Sequence, residues 1–126
     1  MTTNHSRRKN DDSLRRTIMT ASDLRTALQA TVVAAVPAVQ QAFDTYQEHC
    51  FIARPPEFFC LELCGEAGEL ANLEKKRWKG KDVDEAHVAD EAADVFIALV
   101  NFCNARGIDL AQAVTKKLDR IEPSKV

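Results

Sequence analysis

Strand-forming patterns are missing from this sequence. No segment alternates apolar and polar residues, and aromatic side chains make up only 6% of the chain. Glycine and proline number four each, while alanine and leucine are plentiful, a balance that favours helices. No run approaches the ~18 apolar residues of a membrane span. No apolar segment follows the basic start, as a signal peptide requires. A cytoplasmic protein without a membrane partner is therefore expected. The four cysteines, Cys50, Cys60, Cys64 and Cys103, are then expected as reduced thiols. Cys60 and Cys64 have no answering Cys-Cys or Cys-His pair, which argues against zinc. Neither a Ser-His-Asp arrangement nor a glycine-rich phosphate loop is present.

What is there suits a single small domain. Apolar residues make up 45% of the 126 positions, enough for a core. A chain of this size often completes its burial by oligomerising. The net charge of −2 is unevenly spread: residues 1–20 hold five basic and two acidic residues, and the remainder is acidic. That balance gives no reason to expect a nucleic-acid partner. Residues 1–20 read as a polar, basic arm preceding a helical domain over 21–126, and Met19 leaves open a second translation start.

Four to five helices are predicted. Ser22 is the candidate N-cap of a first helix over about 23–36, which Pro37 should kink or split before the pattern resumes to about His49. "ARPPE" (53–57) breaks the chain, and a second helix runs to about Lys79. A polar turn around Gly80 leads to a third helix over about 85–106, stopped by Gly107. Asp109 caps a last helix over about 110–121. The expected architecture is all-α with a central antiparallel helix pair. Cys60, Cys64, Ala67 and Ala71 form a stripe of small residues that reads as a close helix-packing surface. His49 and His87 read as surface residues.

The chemistry lies in the acids. Glu66 and Glu69 are spaced i, i+3 in "GEAGEL", so they share one helix face. Glu91 and Asp94 repeat the spacing in "DEAADVFIALVNF", and the two pairs are equidistant from Gly80. Folding back about that turn sets four carboxylates level between two helices. The segment Ala92–Cys103 is apolar on nearly every side apart from Asp94 and Asn101, so it is expected to be buried, with Asp94 desolvated. Converging carboxylates need a cation, and oxygen-only ligands select a hard one, Mg²⁺ or Mn²⁺. Magnesium shares its shell with substrate phosphates, which points to phosphate-ester or anhydride chemistry. Gly65 and Gly68 cost the helix roughly 1 kcal/mol each relative to alanine. Beside the acids, they would let a partner helix or a substrate approach the backbone. Glu62, one turn before Glu66, is either an outer ligand or base, or a surface acid.

"GEAGELANLEKKRWKG" followed by "DEAADVFIALVNFCNARGIDLAQAV" resembles the MazG-type all-α nucleoside triphosphate pyrophosphohydrolases, over about residues 43–121. That superfamily's signature is Glu-x-x-Glu, a spacer, then Glu-x-x-Asp. The resemblance implies Mg²⁺-dependent cleavage of a nucleoside triphosphate to monophosphate and pyrophosphate. Glu66, Glu69, Glu91 and Asp94 would bind the metal, and one glutamate would take a proton from the attacking water. It further implies a helical bundle completed as a homodimer or homotetramer, and a house-cleaning role on non-canonical or excess nucleotides.

Candidates for the substrate side are Arg54, Phe58, Trp78, Lys79, Lys81, Asn101 and Lys117. "RPPEFFCLELCGE" looks like the dCTP pyrophosphatase stretch, with Arg54 standing where that subgroup has a His. Phe58 could stack on a base or pack in the core, and Trp78 could contact a base or anchor an interface. Lys79 and Lys81 beside the turn, and Lys117 in the last helix, could neutralise phosphates. Asn101 could bind sugar or base, or satisfy a buried hydrogen bond. The competing reading is a non-catalytic helical module whose acids bind a basic partner. A di-iron bundle would need Glu-x-x-His motifs, which neither acidic pair contains.

Overall fold

The computed structural model describes residues 19–124. Among the described residues there are four helices and no strand: α1 (Ala21–Cys50), α2 (Pro56–Trp78), α3 (Glu85–Arg106) and α4 (Leu110–Asp119). None is long and apolar enough to cross a membrane. The basic arm lies almost wholly outside the described residues.

Two details of α1 differ from the sequence reading. Its N-cap is Thr20, not Ser22. The Thr20 hydroxyl accepts from the Asp23 N–H, and the Asp23 carboxylate accepts from the Thr20 N–H, at 3.1 and 2.9 Å. That reciprocal pair satisfies two backbone donors at once, which a lone serine cap does not. The helix also runs through Pro37 without a break, so the proline does not split it. Pro37 is exposed, so water can serve the carbonyl its missing N–H leaves free, and packing along the rest of α1 offsets the local cost.

Helices α2 and α3 form the antiparallel hairpin. Gly80 makes the turn at φ 81°, a conformation that favours glycine, and Asp84 caps α3 by accepting from the Ala86 N–H. Arg77 braces the turn by pairing with Glu74 on its own helix and with Glu85 across it. Gly107 ends α3 at φ 70°, and Asp109 starts α4 by accepting from the Gln112 N–H, both as expected.

Helix α1 crosses back over α3 and α4. Gln40 ties the three together. Its Nε2 donates to Asn104 Oδ1 and to the Ile108 carbonyl, its Oε1 accepts from the Leu110 N–H, and its backbone carbonyl accepts from Asn104 Nδ2. Further along, Gln29 Nε2 donates to the Thr115 carbonyl and to the Asp119 carboxylate.

The hydrophobic core is thin. Phe59, Leu73, Ala98, Val100, Cys103 and Ala111 are buried, and only Val100 is fully so. The expectation that α3 is buried all round fails. Phe96 and Ile97 are 50% and 41% exposed, because the other helices cover only part of its circumference. The small-residue stripe of Cys60, Cys64, Ala67 and Ala71 is likewise exposed among the described residues. A Cβ added at Gly65 or Gly68 would meet no atom within 4 Å. All four cysteines are free, and burial pushes the Cys103 thiol up.

Candidate metal centre

The hairpin register sets the acids. Glu66 and Glu69 project from α2, and Glu91 and Asp94 from α3, at corresponding distances from the Gly80 turn. Glu66, Glu91 and Asp94 each offer a carboxylate oxygen, and these three atoms lie within 4.8 Å of one another. Glu69 is outside that triad: it is exposed, beside Glu91 and close enough to share a hydrogen bond with it. Three of the four expected acids therefore meet at one point, and the fourth flanks them.

Their burial is not the one expected. Glu91, 6% exposed, is the buried carboxylate, while Asp94 is half-buried. The side of α3 through Ala93 and Ile97 is uncovered, which leaves Asp94 at an open rim. One turn back, Glu91 turns into the α2 contact.

The electrostatics report crowding. The Glu66 carboxyl is pushed up to about 7, first by a hydrogen bond shared with Glu91, then by burial and by the charges of Glu91, Asp94 and Glu69. Glu91 is also raised. The bond from Glu66 draws it down, but burial and the nearby Glu69 and Asp94 carboxyls outweigh that. Without a shared proton the two glutamates have only acceptors to offer each other. Glu66 Oε2 and Glu91 Oε2 are buried with no hydrogen-bond donor. Among the described residues, no lysine or arginine pairs with Glu66, Glu69, Glu91 or Asp94. An all-oxygen set with orphaned, buried acceptors and no internal cation fits a hard divalent ion.

Next to the acids is a cavity of about 590 Å³. The end of α1 lines it through Phe43 and Tyr46, the 51–55 connection through Phe51, and α2 through Phe58 and Glu62. Asn101 of α3 also lines it; it is 7% exposed, with Oδ1 buried and unpartnered. Arg54 stands at the wall with its guanidinium 4.8 Å from the centre of the Phe58 ring, a cation–π contact. Glu62 is one turn from Glu66 on α2, and Asn101 is two turns from Asp94 on α3, so the cavity and the triad occupy successive layers of the hairpin.

Arg54, Phe58 and Asn101, three of the predicted substrate-side residues, thus meet in one place. Trp78, Lys79, Lys81 and Lys117 line neither the cavity nor the triad. Trp78, 92% exposed, and Lys79 lie towards the hairpin turn, on the opposite side of the acids from the cavity, and with Lys75 they line a separate open face. Lys81 is exposed in the turn, and Lys117 is exposed on α4, which packs against α1. Sequence reasoning missed the α1 wall. Phe43 and Tyr46 share a helix face by their i, i+3 spacing, but nothing in the sequence says that this face lines a cavity with α2 and α3. His87 is at the surface, as expected, and its Nε2 lies 3.4 Å from Glu91 Oε1.

No family model matches the chain, and neither a curated protein nor a solved structure matches it.

Proposed function

We propose that this protein is a divalent-metal-dependent nucleoside triphosphate pyrophosphohydrolase, cleaving a (deoxy)nucleoside triphosphate to its monophosphate and pyrophosphate. The observation that carries the reading is the Glu66–Glu91–Asp94 triad, with buried oxygens that lack any donor, one layer from an aromatic cavity with its own unpartnered acceptor. A patch that only docks a basic protein would present its charge to solvent, whereas Glu91 is 6% exposed.

In this reading Glu66, Glu91 and Asp94 hold Mg²⁺, or Mn²⁺ in its place. The ion supplies charge to the phosphates and lowers the pKa of a bound water. Glu69, exposed at the edge of the triad, takes the proton as water attacks the α-phosphorus and the bond to the β-phosphate oxygen breaks. The cavity accepts the base: Phe58, backed by Arg54, offers a face for stacking, and Asn101 Oδ1 accepts a hydrogen bond. The uncovered apolar side of α3, with Phe96 and Ile97, supports completion of the bundle by a second copy. The role that suits such an enzyme is removal of non-canonical or excess nucleotides in the cytoplasm.

The test is pyrophosphate release from a panel of canonical and modified nucleoside triphosphates, with Mg²⁺ and with chelator. Metal-dependent release is expected, reduced at least 100-fold by Glu91→Gln and by Glu69→Gln. Absence of release from every nucleotide, by folded protein with metal bound, would leave the acids without this chemistry.

A further inference from the structure

Glu91 is the most buried acid of the triad, and its two oxygens have different surroundings. Oε2 is buried with no donor, whereas Oε1 lies 3.4 Å from His87 Nε2. His87 is one turn earlier on α3, its side chain 54% exposed against 8% for that of Glu91, so the imidazole covers the outward oxygen from the solvent side. Its backbone is fixed in the first turn of the helix, where the His87 N–H donates to the Asp84 carbonyl at 3.1 Å, and Asp84 is itself the N-cap.

This arrangement bears on a weakness of glutamate as a ligand. The terminal torsion of a Glu side chain is broad, so the carboxylate plane rotates readily. An ion bound by Glu91 would have to stop that rotation. An imidazole nitrogen 3.4 Å from the outer oxygen limits that rotation beforehand, while the inner oxygen stays buried without a partner. A neutral imidazole carrying its proton on Nε2 can donate, and so can the imidazolium, so the contact does not depend on the charge of the ring. Partners of this kind, which touch a ligand and not the ion, are worth 10- to 100-fold in metal affinity in other proteins. His87 has no place within the triad, whose members are all carboxylates, so it acts through Glu91.

We propose that His87 is a positioning residue for the acidic site, orienting the Glu91 carboxylate so that its inner oxygen is presented to a divalent cation. The proposal rests on reading the triad as a cation site, and the experiment separates the two. Mn²⁺ binding is measured by calorimetry, and by the paramagnetic resonance of the bound ion, on the full chain as wild type, His87→Ala and His87→Gln. Wild type binds Mn²⁺. His87→Ala binds at least ten-fold more weakly, with an altered Mn²⁺ spectrum. His87→Gln, whose amide N–H reaches about as far as Nε2, recovers most of the affinity. The metal-free melting temperatures of the three proteins coincide, which separates orientation of a ligand from a contribution to the fold. Equal Mn²⁺ affinity in wild type and His87→Ala overturns the positioning role and leaves the cation site standing. No Mn²⁺ binding by wild type overturns the cation site, and the inference with it.

Discussion

Gln40 and Glu66 are both half-buried polar side chains on long helices, and they are treated in opposite ways. Gln40 uses its whole amide: Nε2 serves two acceptors, and Oε1 takes the Leu110 N–H at the start of α4. Gln29 behaves similarly towards Thr115 and Asp119. At the α2–α3 layer the pattern reverses. Glu66 Oε2, Glu91 Oε2 and Asn101 Oδ1 are buried with no donor, and both glutamates are raised, Glu66 first by its bond with Glu91 and Glu91 by burial and the nearby Glu69 and Asp94 carboxyls. Outside that layer the one buried side-chain oxygen without a partner is Thr115 Oγ1, among the described residues. Polar groups that hold a fold together are matched, because an unmatched one costs about 1–3 kcal/mol. A cluster of unmatched ones, all acceptors, is what the proposed cation would match.

The comparison breaks if the two regions respond alike to losing their polar atoms. Gln40→Leu should give the largest change in stability. It strands Asn104 Oδ1, the Ile108 carbonyl and the Leu110 N–H, at a cost of about 2–3 kcal/mol in urea unfolding, while Mn²⁺ affinity stays as in wild type. Glu66→Gln should do the reverse, raising the stability of the metal-free protein at neutral pH and abolishing Mn²⁺ binding. If Glu66→Gln destabilises the metal-free protein, the triad is a matched structural network after all.

The pH dependence sharpens the same point with a smaller effect. The Glu66 carboxyl is raised to about 7 in the folded chain from an ordinary value of 4.5. Between those values the folded state binds more protons than the unfolded state, so this group's contribution to stability falls as pH rises from 4.5 to about 7 and is flat above. Metal competes for the same oxygens, so Mn²⁺ affinity should climb over that window. Thermal melts of the metal-free protein, run from about pH 5 to about pH 8, should show the decline in wild type and lose most of it in Glu66→Gln. A wild-type melting temperature that rises across the window contradicts this.

The smallest effect belongs to the glycines. Open space around Gly68 means that Gly68→Ala gains helix propensity without a clash within the chain, about 0.5–1 kcal/mol of stability. A loss of stability instead, one that grows with protein concentration in unfolding experiments, would show that a second chain occupies that space.

Much of the fold was legible from particular residues. Gly107 and Asp109 mark the α3–α4 junction by local chemistry, an αL residue and a side-chain cap, and both act as read. Gly80 fixes the hairpin register by its place between the two acidic pairs, so the meeting of Glu66 with Glu91 and Asp94 could be counted out in advance. The errors lie where two local signals competed or where a distant segment decided. Thr20 outcompeted Ser22 because only Thr20 has Asp23 three residues on to complete the reciprocal pair. Glu91, not Asp94, took the buried position because burial depends on which side of α3 is covered, and periodicity within one helix does not report that.

The sequence by itself determined the helices, their ends, the acid spacing and the register about Gly80, because caps, turns and the 3.6-residue period act over a few residues of chain. Only the tertiary structure decided that Gln40 knots α1 to α3 and α4, that α1 walls a cavity with Phe43 and Tyr46, that the small-residue face of α2 stays open, and that His87 meets Glu91 on its solvent side. The rotation of one helix about its axis is set by the sum of many weak contacts with helices distant in sequence. That rotation determines which carboxylate loses its water and which side chain lies beside it.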